Sequence, residues 1–116
     1  MKFLKNGKKN MVAKKYKIFL SPIFIDEVEK IYFYISRELH EENIAKKVIK
    51  NIKDKIQLLQ TSPYIYAKLE DKHKLKKVYR KIVIGNYVVI YTVDDTKRQV
   101  NIVHIYYKGE NYLEKI

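Results

Sequence analysis

The stretch VYRKIVIGNYVVIYTVDD, residues 78–95, decides the fold. Val, Ile and Tyr fill both of its halves, which is the composition of β-strands, and the dipeptide Gly85-Asn86 between them is typical of a tight turn. A further run of the same composition follows the turn residues 94–97. The pattern predicts an antiparallel meander of three strands, Val78–Ile84, Tyr87–Val93 and Gln99–Tyr107.

Upstream of the meander the sequence changes from strand to helix. A short apolar run, Tyr16–Leu20, leads into Ser21-Pro22, where serine can cap a helix and proline suits its first position. Apolar residues then recur at spacings of three and four from Phe24 to Leu39 and again from Ala45 to Leu59. The short link between them, residues 40–43, predicts an antiparallel helical hairpin. We therefore expect an α+β single domain, β-α-α-β-β-β, with the hairpin packed on one face of an antiparallel sheet.

Length and charge divide the chain into a tail and one domain. The 116 residues carry a net charge of +12, and seven lysines without an acid lie in residues 1–17. We expect residues 1–14 to form a flexible basic extension, in which Met11 is an alternative start, and residues 15–116 to form the domain. A second cluster of cations between Lys68 and Lys81 is the main electrostatic feature of this basic protein.

Composition excludes most enzyme classes. The chain has no Cys, so it holds no thiolate metal site, cysteine nucleophile or disulfide framework. Its three His are far apart, its three Gly are scattered, and no Ser has the flanking glycines of a nucleophile elbow. We expect no metal and no cofactor. The chain has no Cys and no apolar run near 20 residues, which predicts a cytoplasmic protein that does not associate with a membrane.

Basic and aromatic side chains on the predicted strands remain as candidates for function. Lys and Arg hold phosphates, and Tyr stacks on bases or moves protons. The competing interpretation is structural, because Tyr is a common strand residue and lysine runs usually face solvent. The catalytic candidates are Arg80, Lys81, Lys108 and Tyr112, and the candidates for target or partner binding are Lys76, Lys77, Arg80, Tyr87, Tyr91 and Tyr107.

Arg80 stands apart from the other cations. It lies inside an apolar strand on the same face as Ile82, where a guanidinium needs a partner. Two interpretations are open at this point. Arg80 serves the function of the protein, or it closes a structural ion pair with Glu70 or Asp71.

Taken in order, four segments resemble the RelE/ParE superfamily of bacterial type II toxins. They cover the chain from about residue 15 to its C-terminus, and their order makes the resemblance specific although each is weak alone. The segments are YKIFLSPIFIDEVEKIYFYI (16–35), LLQTSPYIY (58–66), YRKIVIGNYVVIYTVDD (79–95) and IVHIYYKGENY (102–112).

The resemblance implies the same fold and a growth-inhibiting toxin that a cognate antitoxin neutralises. Departures from the RelE-like pattern favour the ParE-like, plasmid stabilisation branch, which acts on DNA gyrase. Val88 and Ile82 stand where the RelE-like nucleases carry cations. Glu110 replaces an Arg that relatives of both branches carry before Asn-Tyr, and this departure favours a weakened or non-toxic member. The alternatives are a ribosome-dependent mRNA endoribonuclease and a non-toxic member that keeps only antitoxin binding. Whether the chain is an enzyme, and whether it forms a homodimer, stays open at this stage.

Overall fold

A computed structural model describes residues 15–69 and 77–114 of the chain. Two helices lie over one face of a four-stranded sheet, which confirms the α+β fold and the predicted order of elements. The expected basic extension, residues 1–14 with Met11, lies outside the described residues. The elements are β1 (Lys17–Leu20), α1 (Pro22–Phe33), a π-helical turn (Tyr34–Glu38), α2 (Glu42–Gln57), a 3-10 turn (Leu58–Gln60), β2 (Arg80–Ile84), β3 (Tyr87–Asp94), β4 (Gln99–Tyr107) and a second 3-10 turn (Tyr112–Glu114).

The strand order in the sheet is β1-β4-β3-β2. The pairs β2–β3 and β3–β4 are antiparallel, as the turn residues predict, and Gly85 takes the positive φ (58°) that favours glycine in such a turn. β1 instead lies parallel to β4, with Lys17 opposite Gln99. The sheet is therefore mixed, and the expectation of a purely antiparallel sheet holds for three of its four strands. Side-chain alternation specifies which face a residue takes, but it carries no information on the direction of the neighbouring strand.

The core lies between the helices and the sheet. Its fully buried members come from every layer and include Leu59, Ile82, Val89, Tyr91 and Ile102. The opposite face of the sheet, which we call the open face, carries a smaller cluster of Val88, Ile90 and Tyr106. Strand β3 is therefore buried on both faces. The helix side and the open face of the sheet are two separate surfaces on which a site can lie.

Replacing Ser21 with alanine is expected to cost about 2 to 3 kcal/mol of unfolding free energy. The Ser21 hydroxyl accepts the N–H of Phe24 (3.0 Å), which caps α1, and donates to the carbonyl of Val103 (2.8 Å). Val103 is the extra residue where the β3–β4 register shifts beside Ile90 and Tyr91. Urea denaturation measures the loss. Ser21→Thr keeps both hydrogen bonds and serves as the control, and equal stability of the alanine and threonine variants would contradict the expectation.

Candidate functional site

The two cations of β2 lie on opposite faces of the sheet. Arg80 is paired in register with Tyr91, a member of the helix-side core, whereas Lys81 is paired with Ile90 of the open face. Adjacent residues of a strand point to opposite faces, so the two side chains diverge. The structure thus separates the catalytic candidates into two groups.

On the open face, the side chains of Lys81 and Tyr112 lie in contact. The Lys81 Nζ donates to the Tyr112 hydroxyl at 3.4 Å. Tyr112 stacks on Tyr106, with ring centroids 6.1 Å apart, and Tyr106 stacks on His104 at 5.1 Å. His104 in turn lies 3.5 Å from a carboxylate oxygen of Glu27 on α1. His104 and Tyr106 complete this row, and their spacing of two along β4 is the sequence signal that they share a face.

The residues around this row of side chains limit the chemistry that it can perform. Burial raises the pKa of Tyr106 to about 12, so its phenol stays protonated at neutral pH. The backbone N–H of Lys108 donates to the Asn86 carbonyl (2.8 Å), which fixes that residue beside the β2–β3 turn. A Glu110 carboxylate oxygen accepts the N–H of Tyr107 (2.7 Å) and holds the C-terminal turn. Val88 occupies the position where the RelE-like pattern has a cation, and its side chain is buried on the open face.

On the helix side, Arg80 holds the segment that follows α2. Its Nη1 donates to the Tyr66 carbonyl (2.7 Å), and its guanidinium lies 4.8 Å from the centre of the Tyr64 ring. The Tyr64 hydroxyl donates to Asp95 in the β3–β4 turn, and the Tyr16 hydroxyl donates to the same oxygen at 2.8 Å. These contacts tie the start of β1, the 64–66 segment and the β3–β4 turn together.

The acid partner that the ion-pair interpretation assigns to Arg80 is not in the described part of the chain. Within residues 15–69 and 77–114 no carboxylate forms a salt bridge with Arg80. Glu70 and Asp71 lie outside those residues. The neutral contacts with Tyr64 and Tyr66 are the ones that the structure assigns to this guanidinium.

The tyrosine candidates for partner binding are mostly core residues. Tyr91 is fully buried and donates to the Pro63 carbonyl at 2.9 Å, and Tyr87 is also buried. Both side chains are buried because apolar layers cover each side of β3. Tyr107 is half exposed and Lys77 is exposed, so both remain available at the surface. Lys76 lies outside the described residues.

A sequence model of the ParE toxin of the type II toxin–antitoxin system parDE matches residues 18–112. The match spans both helices and all four strands except the first residue of β1. The chain belongs to this ParE toxin family. A search of curated protein sequences found no match.

Solved structures show the same fold at low identity to this ParE-family chain. The chromosomal ParDE toxin–antitoxin system of P. aeruginosa superimposes with a TM-score of 0.64 at 13% identity, covering 80% of this chain and 96% of that one. A mutant of the E. coli toxin RelE in the free state gives 0.62 at 17% identity, covering 87% and 92%. The archaeal RelE–RelB complex of Pyrococcus horikoshii gives 0.56 at 15%, covering 83% and 98%. At these identities the likeness concerns the fold alone.

Within the described residues, no group of three His, Cys, Asp or Glu side chains in this ParE-family fold is placed to hold a metal ion. The helices described here are too short or too polar to cross a membrane.

In the ParE-family fold, Asp95→Asn is expected to weaken the acid dependence of stability. Hydroxyl groups of Tyr64 and then Tyr16 donate to Asp95 and hold the pKa of its carboxyl below the ordinary 3.8. The pKa of Asp95 is lower in the folded chain than in the unfolded one. The stabilisation that its carboxylate supplies is therefore complete above the unfolded pKa and is lost as pH falls through the folded pKa. Melting midpoints recorded from neutral pH to below about pH 3 should fall less steeply in the variant. Asp54→Asn, which removes a helix-surface carboxylate, is the control, and parallel curves for both variants would contradict the expectation.

Proposed function

We propose that this type II toxin stops bacterial growth by inhibiting DNA gyrase and that a cognate antitoxin neutralises it in the cytoplasm. The observation that carries the choice of gyrase is the separation of Arg80 from Lys81 across the sheet. An endoribonuclease must gather its cations around one phosphate, since electrostatic stabilisation is usually the largest catalytic contribution. In this chain Arg80 lies on the helix side of the sheet, whereas Lys81 and Tyr112 lie together on the open face. A role in plasmid stabilisation is part of the same proposal.

Induction of the full chain in bacteria tests the target. We expect viable counts to fall, with double-strand DNA breaks and altered plasmid supercoiling and without mRNA cuts at the ribosomal A site. The double variant Lys81→Ala/Tyr112→Phe removes the open-face pair and should leave growth inhibition within about twofold of the wild type, because that pair is not expected to contact gyrase. A-site cuts that this double variant abolishes would overturn the gyrase proposal.

A second candidate is supported by the contact between Lys81 and Tyr112. In a ribosome-dependent endoribonuclease the lysine would neutralise phosphate charge and the tyrosine would move a proton. The double variant separates the two proposals, because it is harmless under the first and inactivating under the second. A chain that binds its antitoxin and never inhibits growth would instead support the non-toxic alternative.

The proposed antitoxin is an acidic protein that electrostatic attraction guides to this basic chain. The cluster between Lys68 and Lys81 supports this. Lys68 and Lys77 are exposed on either side of residues 70–76, which lie outside the described part. The probe is the product of a neighbouring reading frame for a small acidic protein, whose co-expression should restore growth. Lys68→Glu/Lys77→Glu should slow association by about tenfold at low salt, with a smaller effect at high salt. An association rate that changes neither with salt nor with charge reversal would contradict this electrostatic attraction. Light scattering of the full chain distinguishes a monomer from a homodimer, a question that the sequence leaves open.

A further inference from the structure

The π-helical turn between α1 and α2 lies at one end of the helical hairpin. Its closing hydrogen bond runs from the N–H of Leu39 to the carbonyl of Tyr34 (3.1 Å), five residues back rather than the four of an α-helix. Ile35 is buried within this turn and fixes it to the rest of the fold. Because π-helical turns are rare and occur frequently at functional sites, the surface around this turn is a candidate for binding.

An outward stripe of aromatic and cationic side chains leads along α1 into this turn. Its members recur at spacings of three and four residues, which places them on one face of a helix. They are Lys30, Phe33, Tyr34 and Arg37. The core takes other residues of α1, among them Phe24, Val28 and Ile31. Phe33 and Tyr34 are left 43% and 47% exposed, and exposed apolar side chains gathered in one place mark an interaction site.

The four side chains of the stripe, together with Glu38, line a cleft of about 470 Å³, which we call the turn cleft. The guanidinium of Arg37 lies 4.3 Å from the centre of the Phe33 ring. Stacking on the ring fixes the plane of the guanidinium, and its N–H groups lie at the edge of that plane, where a ligand can reach them. Within the described residues, no carboxylate forms a salt bridge with Arg37. Lys30 forms an exposed pair with Asp26 (3.1 Å), which contributes little to stability and leaves the ammonium available to a ligand.

These groups have the chemistry that recognises a nucleobase next to a phosphate. Arg and Lys side chains donate hydrogen bonds to phosphate oxygens, whereas an exposed tyrosine ring or a guanidinium plane stacks on a base. A base in a duplex is already stacked between its neighbours, so only a single strand offers both groups to the cleft at once. The net charge of +12 also favours a polyanion over a neutral or cationic ligand.

We propose that the turn cleft binds single-stranded DNA. One base stacks on Tyr34 and on the outer side of the Arg37 guanidinium, and Arg37 and Lys30 hold the adjoining phosphate. The lining of the cleft includes no described residue of the open face, so this site is separate from the contact between Lys81 and Tyr112. The choice of DNA rests on the proposed function, because gyrase acts on DNA, whereas the stacking site itself does not require that the chain inhibit gyrase.

The probes are two fluorescent oligonucleotides of about ten nucleotides, one of thymidine and one without bases, which carry the same phosphates. Titrated into the full chain at about 150 mM salt, the thymidine oligonucleotide should bind about tenfold more tightly, because stacking adds to the phosphate contacts that both probes make. A uridine oligonucleotide of the same length should bind no more tightly than the thymidine one. Fluorescence anisotropy measures all three affinities.

Two aromatic variants test the stacking site. Tyr34→Ala removes the ring from the turn cleft and should weaken binding of the thymidine oligonucleotide about tenfold while changing binding of the abasic one less than about twofold. Phe19→Ala removes a ring of similar exposure, 51%, from β1 outside the cleft, and both affinities should stay within about twofold of the wild type.

Two charge variants test the phosphate contact. Arg37→Gln and Lys50→Gln each remove one positive charge from an exposed helical position, so each weakens the overall attraction equally. Arg37→Gln should nevertheless weaken binding about tenfold, whereas Lys50→Gln, outside the cleft, should stay within about twofold. Glu38→Gln removes the carboxylate of the cleft and should tighten binding about threefold, because a like charge no longer repels the phosphate.

Any of three outcomes would overturn the assignment: equal binding of the thymidine and abasic oligonucleotides, equal effects of the matched variants, or tighter binding of the uridine oligonucleotide. Gyrase inhibition is measured separately on the same proteins. A chain that binds the thymidine oligonucleotide as expected and does not inhibit gyrase refutes the proposed function alone. A chain that inhibits gyrase and fails the oligonucleotide test refutes the turn cleft alone.

Discussion

Replacing Arg80 with alanine is expected to abolish growth inhibition while the chain stays folded. Arg80 lies in the strand segment, residues 79–95, on which the resemblance to the RelE/ParE toxins rests. Its guanidinium contacts Tyr64 and Tyr66 and so orders the segment after α2. Tyr64 and its neighbour Ile65 are 47% and 60% exposed, so this segment forms a surface that a target can contact. The alanine variant removes both the charge and the anchor of that surface.

The melting temperature separates this role from a purely structural one. Loss of one charge-assisted hydrogen bond and one cation–π contact costs about 2 kcal/mol, which lowers the midpoint of a domain of this size by roughly 8 °C. Breaking a buried ion pair with Glu70 or Asp71 would cost about 3 to 5 kcal/mol. Arg80→Lys, which keeps the charge and loses the planar stacking group, is the matched control. A fully toxic alanine variant, or a drop beyond about 10 °C, would reject the functional role of Arg80.

Local signals were sufficient to predict most of the fold. Ser21-Pro22 begins α1, because the serine caps the helix and the proline suits its first position. Gly85-Asn86 forms the turn between β2 and β3, because Gly85 adopts a positive φ. The parallel pairing of β1 with β4 could not be predicted in this way. It joins residues at opposite ends of the chain, and the periodicity within β1 is the same whichever strand lies beside it.

The candidate site was harder to predict than the fold. Arg80 and Lys81 form one cationic cluster when the sequence is inspected for charge, yet the two-residue period of a strand places them on opposite faces. Asp95 likewise has no local sequence signal of its contacts. It lies in a turn, and its interactions with Tyr16 and Tyr64 depend on tertiary proximity that no motif records. Charge clustering therefore needs to be combined with strand geometry before a site is assigned.

Tyr91→Ala is expected to give the largest loss of stability, about 3 to 5 kcal/mol, or 12 to 20 °C in the melting midpoint. Tyr91 is fully buried at the centre of β3, paired with Arg80 of β2 and Ile102 of β4. Its ring fills the core between helices and sheet, and its hydroxyl donates to the buried Pro63. The truncation therefore opens a cavity and also leaves a carbonyl without its donor.

Two further variants divide that loss into its parts. Tyr91→Phe keeps the ring and should cost about 1 to 2 kcal/mol, whereas Tyr107→Ala removes a half-exposed strand tyrosine and should cost less than the alanine change at 91.

Burial raises the pKa of Tyr91 from 10.0 to about 12. Because the pKa of Tyr91 is higher in the folded chain than in the unfolded one, the stabilisation that the protonated phenol supplies is complete below about pH 10. It is lost as pH rises towards 12. Urea denaturation at neutral and alkaline pH should show a shallower alkaline loss in Tyr91→Phe than in the wild type. Equal alkaline slopes, or a Tyr91→Ala variant as stable as Tyr107→Ala, would contradict the central place of Tyr91 in the core.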